Sequence, residues 1–407
     1  MPMREGMKLP HRLVVIGAFA LVLGGSLSGC GDSAEERAAT DASLIDWPTF
    51  GRVTERTHYL PTDRGALDPP LREAWSINTH GLIEFPPAVA DGVAYVVNKF
   101  GNLHAIRLSN RRTLWERIRD PSNRGKPTDV TAPVFHDGRV YMAYLDGELV
   151  ALDAETGKPK WRRQLPGHLE SSPVAADGVL YIGSDRGHVY ALSASDGSTA
   201  WRFDSPGAVK ASPSLHRDRV YVADYEGAIF GLDAASGRPV WRTNTTKVRP
   251  FGKGGFYSSP AIAFGHVYAA RDDGTVYAFD EATGRVEWFF QTNHFIYGSP
   301  AVAEVPGTPP SVYIGSYDQH FYALDAGSGK VRWRYDVRGP VPGTATVIGH
   351  TVYTSSFKTR ESVGLDVRDG RRTFSLDDAG YTPVVSDGRR LYLIGYYELI
   401  GLLPKRN

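Results

Sequence analysis

Aligned on the proline of Ser-Ser-Pro and its equivalents, the chain places one residue three positions upstream in each of eight similar segments. These residues are Glu84, Val130, Glu170, Lys210, Tyr257, Tyr297, Pro342 and Gly380. An acid, a base and phenols recurring at one place can ion-pair and hydrogen-bond with a ligand or a partner's side chains. Glu170 and Lys210 stand in consecutive segments, as do Tyr257 and Tyr297. Beside them runs KVRPFGKGGFY (247–257), which sets Arg249 and Lys253 among aromatics and so suits an anionic group. Glu84, Glu170, Lys210, Arg249, Lys253, Tyr257 and Tyr297 therefore form the candidate binding face.

Catalytic chemistry is harder to find. Asp153, Asp233, Asp280 and Asp325 look like metal ligands singly, but each sits in a separate segment and suits an Asx turn that needs no metal. His294 has no catalytic or metal-binding companions, and no Ser/His/Asp arrangement, phosphate loop or His/Asp cluster is present. A net charge of +1 without a Lys/Arg block gives no reason to expect nucleic acid. No metal and no catalytic residue are expected.

Cys30 is the only cysteine, so no internal disulfide can form. It follows Leu27, Ser28 and Gly29, after Arg4, Lys8, His11 and Arg12 and the apolar run LVVIGAFALVLGG. A basic stretch, a short apolar run and small residues describe a secretory signal, and the run falls short of the about 20 residues that span a bilayer. The expectation is a signal peptide over 1–29, lipidation of Cys30, and a flexible tether over 30–45. The protein would then be exported and held to a membrane on its extracytoplasmic side.

The elements that must position the face come from a repeat. Trp75, Trp115, Trp161, Trp201, Trp241, Trp288, Trp333 and Phe374 recur at intervals of 40 to 47 residues. Each full unit holds four strand-like runs, such as SSPVAA, VLYIGS, HVYALS and STAWRF, joined by Asp/Gly turns. Four short strands at this period describe a propeller blade. The last unit, 381–402, supplies three strands, and LREAWSI around Trp75 supplies an outer strand without its inner three. Joined, they make one blade and close the ring. The fold class is all-β: an eight-bladed β-propeller over 46–403.

ALDAETGKPKW (151–161), ALSASDGSTAW, AFDEATGRVEW and ALDAGSGKVRW resemble the PQQ-like propeller repeat, and DWPTFGR (46–52) resembles how such chains begin. The resemblance implies that Trp115, Trp161, Trp201, Trp241, Trp288 and Trp333 pack between a small residue and the Gly peptide of a neighbouring blade. Arg111 in place of Gly, Gly231 in place of Ala and Phe374 in place of Trp would alter that docking locally. Within the family the chain resembles the outer-membrane assembly lipoproteins more than the pyrroloquinoline quinone dehydrogenases, which carry a vicinal cysteine pair and a calcium site of Glu, Asn and Asp. The expectation is a monomeric, non-catalytic scaffold, without pyrroloquinoline quinone, that binds an unknown envelope protein. The alternatives are recognition of a sugar or an anion, and then a quinone-dependent oxidoreductase.

Overall fold

Runs such as VLYIG (179–183) and HVYAL (188–192) are apolar on both faces, so each strand they form must be covered from two sides. In the computed structural model, which describes residues 44–62, 66–119, 128, 130–248, 254–377 and 384–405, neighbouring blades provide that cover. Val174–Ala176, Val179–Gly183, His188–Ser193 and Thr199–Asp204 form one four-stranded antiparallel blade, and the pattern repeats around a ring of eight sheets. The inner strands are buried, while outer strands such as Thr199–Asp204 alternate between half-buried and exposed. Closure is as expected: Leu71–Asn78 pairs with Glu398–Pro404 and completes the blade begun by Val385–Ser386 and Leu391–Gly395.

Tryptophan docking explains how blades grip one another. Trp161 Nε1 donates to the Ala194 carbonyl of the next blade at 3.0 Å, and Tyr141 Oη donates to the same oxygen at 3.1 Å. Trp115, Trp201, Trp241, Trp288 and Trp333 make the equivalent bond at 2.9 to 3.0 Å. Each ring lies on the next blade's turn glycine; a Cβ on Gly237 would stand 2.5 Å from Trp201. The turn aspartates are turn formers. Asp153 Oδ1 accepts from Thr156 N at 2.8 Å and from Thr156 Oγ1 at 2.7 Å, and that hydroxyl bond is the first cause holding its pKa down at about 2.

The departures from the repeat have local consequences. Where Arg111 replaces Gly it keeps the left-handed backbone, with φ of 62°, and Trp75 Nε1 finds no hydrogen-bond partner among the described residues. Where Gly231 replaces Ala, the Trp241 indole lies so close that a Cβ there would stand 2.6 Å from it.

One element was not visible in the repeat. Residues 45–60 coil inside the channel and dock on the inner strands in turn. Trp47 pairs with Val89, and the carbonyls of Pro48, Thr54, Glu55, Thr57 and His58 accept from Phe135, Leu215, Ile262, Val302 and Val347 at 2.7 to 2.9 Å. Arg56, fully buried, donates to the carbonyls of Phe50, Ser172, Pro173 and Pro213. Burial lowers its pKa to about 9, which leaves it charged at neutral pH. Inner strands that would otherwise present bare edges to the channel are thereby satisfied. Both ends of the coil emerge on one face, beside the turns that join first and second strands: Ile45 lies against Gly388 and Thr62 against Gly349.

Candidate functional site

The opposite face carries the loops that lead into each inner strand, and two repeated contacts hold them in register. The second serine of each Ser-Ser-Pro bonds to its neighbour. Ala132 N donates to Ser172 Oγ, Ser172 N to Ser212 Oγ, Ser212 N to Ser259 Oγ, Ser259 N to Ser299 Oγ, and Ser299 N to Thr344 Oγ1, at 2.8 to 3.1 Å. These groups are buried, so the ladder is a structural seam. The second contact comes from the residue two positions past each second strand. Its N–H bonds a carbonyl two residues before the ring position: Lys99 to Leu82, Asp185 to His168, Tyr225 to Ala208, Asp272 to Gly255, Tyr317 to Phe295 and Phe357 to Pro340.

The face is therefore two concentric rings, and only the inner one was anticipated. Lys99, Leu145, Asp185, Tyr225, Asp272, Tyr317, Phe357 and Tyr397 form the outer ring. The signal for it was present: these residues also vary in kind at a fixed place in the repeat. It was hidden because the turns that hold them read simply as turns.

The structure joins most of the anticipated residues into one network. Glu84 and Lys99 are 2.7 Å apart, and Glu170 and Lys210 2.9 Å. Tyr257 Oη donates to the other Glu170 oxygen at 3.3 Å, so Glu170 links three consecutive blades. Lys210 lies over the Tyr225 ring at 5.2 Å. Burial first, and then the nearby Asp272 carboxylate, raises the Tyr225 pKa to about 12. Glu84, Glu170 and Tyr257 share a cavity of about 360 Å³ with apolar walls from Phe85, Leu145 and Leu169; Val130 also lines it.

From Tyr257 an aromatic arc runs the other way round the ring. Ring centroids are 5.8 Å apart for Tyr257 and Tyr297, 5.1 Å for Tyr297 and Tyr317, and 6.5 Å for Tyr317 and Phe357. His294 stacks on Tyr317 at 6.2 Å, and among the described residues it belongs to no group of His, Cys, Asp or Glu able to hold a metal. Phe295, Tyr257 and Phe357 are 47%, 39% and 38% exposed. Arg249, Lys253, Gly380 and Cys30, together with the signal and nearly all of the tether, lie outside the described residues. Among the described residues no helix is long and apolar enough to cross a membrane.

Solved structures of similar fold include BamB from Moraxella catarrhalis, with TM-score 0.66 and 18% identity over 83% of this chain and 99% of that one. Another is quinohemoprotein alcohol dehydrogenase ADHIIG from Pseudomonas putida HK5, with TM-score 0.74 and 15% identity over 92% and 82%. Among curated relatives, a quinohemoprotein alcohol dehydrogenase of Comamonas testosteroni is 33% identical over 38% of this chain. A 1-butanol dehydrogenase (cytochrome c) of Thauera butanivorans is 33% identical over 29%. The matches span only 25% and 18% of those two proteins' own lengths.

A quinone with calcium, as those names and the repeat imply, meets a poor set of residues here. The chain has one cysteine and so cannot form a vicinal pair. Among the described residues no three His, Cys, Asp or Glu side chains could hold a metal, and the two cavity carboxylates are already tied to lysines. The described residues do not fit that cofactor. Overlapping matches over 99–249, 185–302 and 298–396 place most of the chain in one family. With its eight closed blades and their docking tryptophans, the chain belongs to the PQQ-like propeller family described as outer membrane protein assembly factor BamB.

Proposed function

We propose that this protein is a non-catalytic, lipid-anchored scaffold of the cell envelope that binds a partner protein through its loop face. The observation that carries the reading is the aromatic arc of Tyr257, Phe295, Tyr297, Tyr317 and Phe357, in which Tyr257, Phe295 and Phe357 are exposed and Tyr297 and Tyr317 half-buried. Exposed aromatics seated on a rigid frame supply contact area at low entropic cost, and such residues are enriched at protein interfaces. The coil of residues 45–60 supports the reading too, since it blocks the channel as a conduit and leaves the face as the working surface. Ile45, where the expected tether from Cys30 would join the propeller, stands on the face away from the arc. The family description, an outer membrane assembly factor, agrees with export and an envelope role.

A photo-crosslinking residue at Phe295 or Phe357, introduced in intact cells, should capture one discrete envelope protein. The same residue at Glu155, exposed on the opposite face, should not. Capture should fall in a Tyr317→Ala background. Equal labelling from both faces, or none from the arc, would overturn the proposal. The oxidoreductase alternative has its own check: titration with pyrroloquinoline quinone and Ca²⁺ should show no saturable binding.

A further inference from the structure

The cavity beside the arc has a chemistry of its own. Its volume, about 360 Å³, is near the lower end of small-molecule sites, which run from about 300 to 1,000 Å³, so it suits one ring-sized molecule. Its two carboxylates, Glu84 and Glu170, are each paired with a lysine, at 2.7 and 2.9 Å. The four side chains are about a quarter to a third exposed. A ligand ion entering here would have to draw a carboxylate or an ammonium away from its partner, or lie uncompensated in a partly desolvated place.

A neutral polyhydroxylated ring needs neither. Its hydroxyls can donate to the Glu84 and Glu170 carboxylates and to the Tyr257 oxygen, whose own proton goes to Glu170, and can accept from Lys210. Its C–H faces can lie on Phe85, Leu145 and Leu169. The coil below, whose Arg56 holds the carbonyls of Ser172, Pro173 and Pro213, ties down the backbone just past Glu170 and Lys210.

We infer that this cavity binds one pyranose unit of a neutral sugar, either free or at the end of a glycan. The inference rests on the loop face being the binding face, and it assigns a second ligand to that face. Calorimetric titration of the purified full chain would test it with D-glucose, N-acetylglucosamine and the β-1,4-linked dimer of the latter, against inorganic phosphate and spermidine. At least one sugar should saturate, and its affinity should fall about tenfold or more in Glu84→Gln and Glu170→Gln, each of which removes a charge-assisted acceptor. Melting curves of both variants should stay close to that of the parent. Tighter binding of the dimer than of the monosaccharide identifies a glycan end, and equal binding identifies a free sugar. Failure of every sugar to saturate, or tighter binding of phosphate or spermidine, overturns the assignment. Phe357→Ala should spare the titration and weaken crosslinking, whereas Glu84→Gln should do the reverse. In the parent protein, no saturable sugar binding with crosslinking intact sinks the cavity assignment alone, and sugar binding without crosslinking from the arc sinks the partner reading alone.

Discussion

Gly237 and Arg111 hold the same turn position in different blades, and the contrast isolates what the side chain costs. Gly237 has φ of 70°, and a Cβ there would press into Trp201 at 2.5 Å. Gly237→Ala combines left-handed strain with overpacking, so it should destabilise the fold by about 2–4 kcal/mol. Arg111 already bears the strain at φ of 62°. Arg111→Gly should therefore stabilise by about 0.5–1 kcal/mol, because relief of strain outweighs the added entropy of the unfolded chain. Urea midpoints of the two variants check both signs; a stabilising Gly237→Ala would refute the packing account. The repeat marked these positions correctly because an indole on a peptide plane tolerates little beyond hydrogen. It did not reveal that Trp75 would lose its acceptor, since the acceptor belongs to another blade.

Among the elements, the serine ladder explains why the loop face holds its shape while its side chains vary. Ser212 Oγ accepts the buried Ser172 N–H, and Ser212 N donates to Ser259 Oγ. Ser212→Ala removes the first bond and strands a buried donor, at about 1–3 kcal/mol. Ser212→Thr keeps the hydroxyl, as Thr344 does at the equivalent place, and should cost less. Thermal melts rank the two, and hydrogen exchange at Ser172 should speed up only in the alanine variant. The Ser-Ser-Pro spelling was plain in the sequence, yet its meaning was not, because each bond spans 40 residues or more.

For the whole molecule, the coil of residues 45–60 carries a histidine whose burial should make stability depend on pH. His58 is fully buried, neither ring nitrogen has a hydrogen-bond partner among the described residues, and burial followed by the Arg56 charge takes its pKa down to about 3. The unfolded imidazole takes up its proton near pH 6.5 and the folded one only near 3, so the unfolded chain binds the extra proton between those values. Stability should thus fall as pH drops from about 6.5, with a slope approaching 1.4 kcal/mol per pH unit from this group. His58→Phe should flatten that part of the curve; denaturant titrations at pH 6.5, 5.5 and 4.5 provide the comparison. An unchanged slope would show that carboxylates, not His58, dominate.

Blade number, strand order and ring closure could be read from the chain itself, because each blade repeats a local pattern of apolar runs, turns and a terminal aromatic. The positions of Glu84, Glu170, Lys210, Tyr257 and Tyr297 could be read as well, since they occupy one place in that pattern. Their relations could not. That Glu170 meets both Lys210 and Tyr257, that Lys99 answers Glu84, and that the arc extends through Tyr317 to Phe357 depend on how far each blade is rotated from the next. DWPTFGR resembled a beginning, and its residues proved to lie at the heart of the channel, where inner strand edges need backbone partners that the repeat does not supply. A periodic sequence determines the unit and the count, because these rest on contacts close along the chain. The tertiary structure alone decides what meets on the axis, because there the contacts join residues from every blade at once.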